Sequence, residues 1–276
     1  MADPAALSSF LARAVADARE DAERRAAKLP LDAIKEAATA VPPPRGFRAA
    51  LSQSKPGVAL IAEIKRRSPS RGDIRPDLDP AALARAYQRG GAAAVSILTE
   101  PRHFAGSPTD LRAAHAATDL PVLRKDFIIT PYQVWEARAW GADALLLIVA
   151  ALDPALLTAL LTETAAAGLD ALVEVHTRAE AETAAASGAT LVGINARDLA
   201  TLGVDPGRFA AVRDVLAGEV TVVAESGIHD RAGVLAVASA GADAVLVGES
   251  LVRARDPAAA AAALLGRKQT VSSGGI

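Results

Sequence analysis

The 276-residue sequence contains no cysteine. That single absence excludes disulfide staples, thiolate metal sites and cysteine nucleophiles together. Aromatic residues make up 3% of the chain, so an interior must be built from Leu, Val, Ile and much Ala. Lysine is scarce: six positions (28, 35, 55, 65, 125 and 268) leave 24 of the 30 basic residues as arginine. A coding bias that exchanges Lys for Arg wherever only charge matters explains the ratio, and it draws attention to the lysines that remain. An excess of one charge is also missing, with 30 basic against 32 acidic residues. No broad field therefore exists to gather nucleic acid or an anionic membrane. No apolar run reaches the roughly 18 residues needed to span a bilayer. The longest, around 144–152, is bracketed by Asp143 and Asp153. The opening Met-Ala-Asp-Pro has none of the basic residues of a secretory leader. A cytoplasmic location is expected, with neither nucleic acid nor membrane as a partner.

Repetition fills the rest of the chain. Residues 4–40 read as one or two amphipathic helices, with charges such as Arg13, Asp17 and Arg24 between apolar positions, stopped by Pro42-Pro43-Pro44. From residue 58 onward, short Val/Leu/Ile-rich runs begin near 58, 93, 121, 143, 170, 190, 220 and 243, with a helical pattern in each gap. Strands alternating with helices at this spacing read as βαβ units on a parallel sheet. Runs such as VALIAEI and VTVVAES are almost continuously apolar, as strands covered on both faces are. Asp79-Pro80, Ser107-Pro108, Thr130-Pro131, Asp153-Pro154, Asp205-Pro206 and Asp256-Pro257 each set a capping side chain before a proline at a first helical position, while Thr177 and Asp230 can cap the other two helices.

Eight strands each followed by a capped helix predict a single (β/α)8 TIM barrel. An open doubly wound sheet competes, but there is no GxGxxG fingerprint and no second domain. The expected organisation is an N-terminal helical extension over 1–57 packed on the barrel, a catalytic barrel over 58–267, and a disordered tail over 268–276.

Barrel sites lie where the strands end at their C-terminal side. Those ends carry Glu63, Lys65 and Ser68 after the first run, Glu100 after the second, and Lys125 and Phe127 after the third. The fifth ends in Glu174 and His176, the sixth in Asn195 and Arg197, the seventh in Glu225-Ser226-Gly227 and the eighth in Gly248-Glu249. The fourth offers nothing. Alternation turns Glu63 and Lys65 to one face. A solvated pair there would be worth only ~0–1 kcal/mol. Lys125, Glu174, Asn195 and Glu225 at equivalent ends favour convergent acid–base chemistry, because each charge shifts its neighbours' proton affinity. Gly227 and Gly248 permit the close backbone approach that phosphate sites of barrels use, and Lys65 could add a charge. His103, His115, His176 and His229 show no metal spacing and read as surface or loop residues. Arg66, Arg67, Arg71 and Arg75 read as a mobile basic loop, and Phe104 and Phe127 as core filling or as a stack for an aromatic substrate.

Seven segments in order closely resemble the indole-3-glycerol phosphate synthase family: IAEIKRRSPSRG (61–72), SILTEPRHFAGS (96–107), LRKDFIITPYQVWEARAWGAD (123–143), LVEVH (172–176), GINARDL (193–199), VAESGI (223–228) and GADAVLVGESLVR (241–253). The resemblance implies a carboxy-lyase of tryptophan biosynthesis. Such an enzyme closes 1-(2-carboxyphenylamino)-1-deoxyribulose 5-phosphate to indole-3-glycerol phosphate with loss of CO2 and water, without cofactor or metal. It further implies Lys125 as general acid, Glu174 as general base, and Glu63 with Lys65 orienting the acid and contacting substrate. Asn195 and Arg197 would position hydroxyl and carboxylate groups, with Ser68, Glu225 and Ser226 as further substrate contacts. Phe104 and Phe127 would hold the anthranilate ring, and Lys65, Gly227, Gly248 and the amide of Glu249 the phosphate. The chain departs from the family's frequent residues at Arg66-Arg67 and Ala196. A monomer is expected, with other enzymes of the pathway as possible partners. Two readings remain beside this one: a Schiff-base aldolase using Lys125 or Lys65, and a phosphosugar-binding barrel without catalysis. The sister isomerase of the pathway would be expected to use a cysteine base, which this chain lacks.

Overall fold

The near-continuous apolar runs form eight parallel strands: β1 (Ala59–Ile64), β4 (Ala94–Leu98), β5 (Val122–Lys125), β6 (Ala144–Ile148), β7 (Asp170–Val175), β8 (Leu191–Asn195), β9 (Thr221–Glu225) and β10 (Ala244–Val247). A two-stranded hairpin, β2 (Arg67–Ser68) and β3 (Gly72–Asp73), lies between the first two. The structure is a computed structural model describing residues 9–53, 57–216 and 218–267. The expectation of a disordered tail over 268–276 lies outside the described residues. The strands close in the order β1-β10-β9-β8-β7-β6-β5-β4, with β4 paired back onto β1, so the open-sheet alternative is excluded. Interior side chains of β1, β4, β6 and β10 are buried throughout. Helices cover the outer face, as all-parallel sheets require.

Seven of the eight expected helix caps form. Asp79, Ser107, Thr130, Asp153, Thr177, Asp230 and Asp256 each accept hydrogen bonds from first-turn amides, and Thr130 forms a reciprocal box with Gln133. Asp205-Pro206 does not open a helix. The amide of Asp205 donates to the carbonyl of Ala196 at 2.9 Å, which ties it to the end of the loop after β8. The helix there begins later, at Arg208, without a side-chain cap.

The extension consists of α1 (Ser9–Lys28), α2 (Leu31–Thr39) and α3 (Phe47–Gln53). Ionic contacts fasten it at two levels of the barrel. Arg102, just past β4, binds Asp17 at 2.8 Å, Glu20 at 2.7 Å and Asp21 at 2.6 Å, all on α1. Arg25 binds Glu136 of α7 (Pro131–Ala139), and the same carboxylate meets Arg124 at 3.3 Å. Arg124 is fully buried in β5, stacked 4.1 Å from the Trp140 ring and paired with Asp126 at 2.9 Å. A guanidinium so placed is satisfied on each edge, the condition for burying a charge. It fixes the strand whose next residue is Lys125.

Candidate active site

The C-terminal strand ends converge on one cavity whose wall includes every site residue named from the sequence. Lys125, the last residue of β5, sits with its ammonium 2.5 Å from Oε2 of Glu225 on β9 and 3.0 Å from Oε2 of Glu174 on β7. On the β1 side, Lys65 Nζ lies 2.5 Å from Oε1 of Glu63. Glu63 is buried and Lys65 only partly exposed, so the pair is not a solvated strand-end contact. Asn195 donates from its side chain to Glu174 and accepts the Arg197 amide at 3.0 Å. Arg197 in turn donates from Nη1 to the Leu202 carbonyl at 2.7 Å, which folds the β8 loop over that side of the mouth.

Two glycines make room for the carboxylates. A Cβ on Gly193 of β8 would stand 2.0 Å from Oε1 of Glu225, and one on Gly248 would stand 2.6 Å from Oε1 of Glu63. Gly248→Ala is therefore expected to push Glu63 aside and loosen its hold on Lys65. Misplacement of this order lowers kcat/KM by about a hundredfold. Steady-state kinetics with a melting curve would separate this effect from unfolding.

Electrostatic coupling gives the three central groups different proton affinities. Burial alone would push Lys125 down, but Glu225, Glu174 and Glu63 around it more than reverse this and hold it as an ammonium. Burial would raise Glu174, yet Lys125, His176 and the Asn195 hydrogen bond bring it down to about 2. Glu225 is pushed up to about 7, first by burial and then by the neighbouring Glu174 and Glu63 charges, which Lys125 offsets only in part. Its Oε1 has no hydrogen-bond partner among the described residues. Two carboxylates around one ammonium are thus pulled apart, the pattern by which acid and base roles separate.

Across the mouth, α5 (Pro101–Phe104) presents Phe104. Glu100 caps this turn, accepting from the amides of Arg102, His103 and Phe104 at 2.7–3.0 Å, so its carboxylate is committed to structure. Phe104 and Phe127 lie with ring centroids 6.4 Å apart. Phe10 of α1 meets Phe127 edge-on at 6.3 Å, completing an apolar wall that includes the extension. The opposite rim holds Ser226, Gly227, Gly248 and Glu249. Ser226 has a positive φ of 66°, a strained backbone of the kind concentrated at functional sites. Glu249 opens the short helix α12 (Glu249–Arg253), with its carboxylate 3.5 Å from Arg71 and 3.2 Å from Arg253.

The structure refines two expectations. The basic stretch after β1 is not an unstructured loop: Arg67 and Ser68 pair with Asp73 and Gly72, and Arg66 binds both oxygens of Asp110, at 3.0 and 2.9 Å, and the carbonyls of Pro76 and Leu78. Buried Ser68 thereby faces the cavity. His176 is not a surface residue. It is buried at the end of β7, between Glu174 and Glu180. The rule that placed Glu63 beside Lys65, residues i and i+2 on one face, also places Glu174 beside His176. Phe10 carried a weaker signal, as one of only five phenylalanines and the only aromatic residue of α1.

The family model described as indole-3-glycerol phosphate synthase matches residues 11–264. Proteins of that name from Mycolicibacterium smegmatis and Mycobacterium ulcerans are 55% and 53% identical to the chain, each over 247 residues that cover 90% of both sequences. Among solved structures, a 3-hexulose-6-phosphate synthase superposes with a TM-score of 0.60 at 19% identity, covering 76% of this chain and 99% of that one. A thiamine phosphate pyrophosphorylase from Pyrococcus furiosus gives 0.57 at 19% identity, over 75% and 93% respectively. These two similarities concern the barrel fold alone.

Proposed function

The chain belongs to the indole-3-glycerol phosphate synthase family of tryptophan-pathway carboxy-lyases, and on that premise we propose how its residues divide the reaction. The observation that carries the reading is the buried Lys125 ammonium held between Glu174 and Glu225. The phosphate of 1-(2-carboxyphenylamino)-1-deoxyribulose 5-phosphate binds at the rim formed by Gly227, Gly248 and the Glu249 amide, with Lys65 nearby. Arg71 and Arg253 neutralise the Glu249 carboxylate, so that an anion can approach. The anthranilate ring lies against Phe104 and Phe127, and Arg197 and Asn195 hold its carboxylate and the sugar hydroxyls. Ser68 and Ser226 add polar contacts.

Lys125 protonates the ketone oxygen as the ring carbon attacks it. An ammonium at an oxygen whose negative charge grows stabilises the transition state more than the ground state. Carbon dioxide then leaves, with electrons returning to the ring. Glu174 removes the C1 proton while the new hydroxyl departs as water, protonated by Lys65 or Lys125. Glu63 orients Lys65, and Glu225 orients Lys125. A Schiff-base role for Lys125 is disfavoured, because it needs a neutral amine and three carboxylates keep this one charged. Borohydride trapping with a ketose phosphate would expose such an adduct. The protein is proposed to work as a cytoplasmic monomer. No helix among the described residues is long and apolar enough to cross a membrane.

Incubation with the carboxyphenylamino-deoxyribulose phosphate is expected to produce indole fluorescence. Tight binding without that signal would make the barrel a phosphosugar-binding protein instead. Phe10→Ala tests the part of the wall supplied by the extension. An aromatic contact is worth about 0.5–1.5 kcal/mol, so KM is expected to rise about two- to tenfold. The fall in kcat should be smaller, as steady-state kinetics would report.

A further inference from the structure

One buried titratable group at the mouth has no part in the chemistry above. His176 is held by Glu180, the third residue of α9 (Arg178–Ala186): Oε2 of Glu180 accepts the His176 amide at 2.8 Å and lies 3.2 Å from Nδ1 of the ring. The other ring nitrogen, Nε2, is buried without a hydrogen-bond partner among the described residues. It lies 3.4 Å from Oε1 of Glu174. The second oxygen of Glu174 is 3.0 Å from Lys125. Exposure falls along this line, from 20% for the side chain of Glu180 to 4% for that of Glu174.

The stoichiometry of the reaction calls for such a line. The substrate carboxylate is an anion and leaves as neutral CO2, so conservation of charge requires one proton from solvent in each turnover. Counted by atoms, the ketone oxygen departs as water after receiving two protons, while C1 gives up only one. Glu174 can return the C1 proton to a spent amine across 3.0 Å. The second must enter a mouth that the bound substrate covers.

We infer that Glu180 and His176 are the entry path, passing a solvent proton to Glu174 and on to whichever lysine is left neutral. Proton transfer of this kind needs groups within about 3 Å or one small adjustment of them, and imidazole carries a proton in at one nitrogen and out at the other. The groups acting on His176 are Glu174 near the end of β7, Glu180 on α9 and Glu225 on β9. The 3-10 turn Val149–Ala151 packed against this end brings no charge. Burial opposes the imidazolium, but these three carboxylates outweigh it and raise its proton affinity, which suits a carrier loaded near neutral pH.

This inference rests on the proposed roles of Lys125 and Glu174, and the experiment keeps the two apart. His176→Phe and Glu180→Gln would be assayed for kcat and KM across pH, with and without added imidazole, and in light and heavy water. The expected result is a kcat lowered about tenfold, a deficit that widens as pH rises, partial recovery with imidazole, a larger solvent isotope effect and little change in KM. Glu180→Gln keeps the shape of a partly exposed side chain and decides the matter if His176→Phe does not fold. A kcat equal to that of the parent, or one lowered without response to pH or imidazole, overturns the path. If Glu174→Gln is inactive while both variants are normal, only the path is wrong. If Glu174→Gln retains full activity, the underlying assignment of roles fails.

Discussion

Lys125→Met is expected to lower kcat by about 10³-fold while KM changes little. Two effects combine. The variant lacks the acid for the ketone oxygen, and a positioned acid typically contributes about 10²–10⁴-fold. It also loses the ammonium that hydrogen-bonds both Glu174 and Glu225. Breaking a buried ion pair by removing one partner costs about 3–5 kcal/mol when the remaining charge cannot adapt. Here it can adapt, because Glu225 already lies high, at about 7, and with the ammonium gone one carboxyl takes up a proton.

The consequence is a pH signature. A carboxyl whose proton affinity in the fold exceeds its unfolded value contributes stability in full below the unfolded pKa, and that stability is lost as pH rises through the folded pKa. The variant should therefore melt near the parent at pH 5 and fall progressively below it towards pH 8. Scanning calorimetry across that range checks the sign. Parent-like turnover would remove Lys125 from the acid's role, and a melting difference independent of pH would contradict the proposed compensation by Glu225.

Much of this architecture can be read from the sequence because it rests on local, repeated rules. Each strand start falls within one residue of the position that the apolar runs indicate, since parallel strands covered on both faces read as nearly continuous apolar runs. Seven caps hold because a side-chain oxygen before a helix satisfies amides that nothing else reaches. Asp205 shows the limit of the rule, as its amide is held by Ala196 across a loop and no local pattern records such a bond. The same limit hides the fastening of Arg66 to Asp110 and the reach of Phe10 into the cavity, which depend on contacts across 44 and more than 100 positions of chain. The convergence of Lys125, Glu174 and Glu225 was legible from strand-end placement, but their unequal proton affinities were not. Those depend on burial and on distances of 2.5 and 3.0 Å that only closure of the barrel creates.

Glu174→Gln is expected to reduce indole formation by about 10³-fold, yet to leave ring closure and decarboxylation largely in place. The carboxylate is a weak base in the free enzyme, at about 2, because burial is outweighed by Lys125, His176 and Asn195. It strengthens only when the ammonium 3.0 Å away has given its proton to the substrate, since the charge that held it down is then gone. The acid step therefore activates the base step, and the two occur in the order the reaction needs. Glutamine preserves the shape and the contact with Asn195 but cannot accept the C1 proton. A rapid-quench experiment should then show a burst of about one CO2 per site with almost no indole fluorescence. The slow residual rate should carry an enlarged isotope effect with C1-deuterated substrate. CO2 and indole lost in equal measure would place Glu174 at ring closure instead, and a parent-like rate would deny it any role as base.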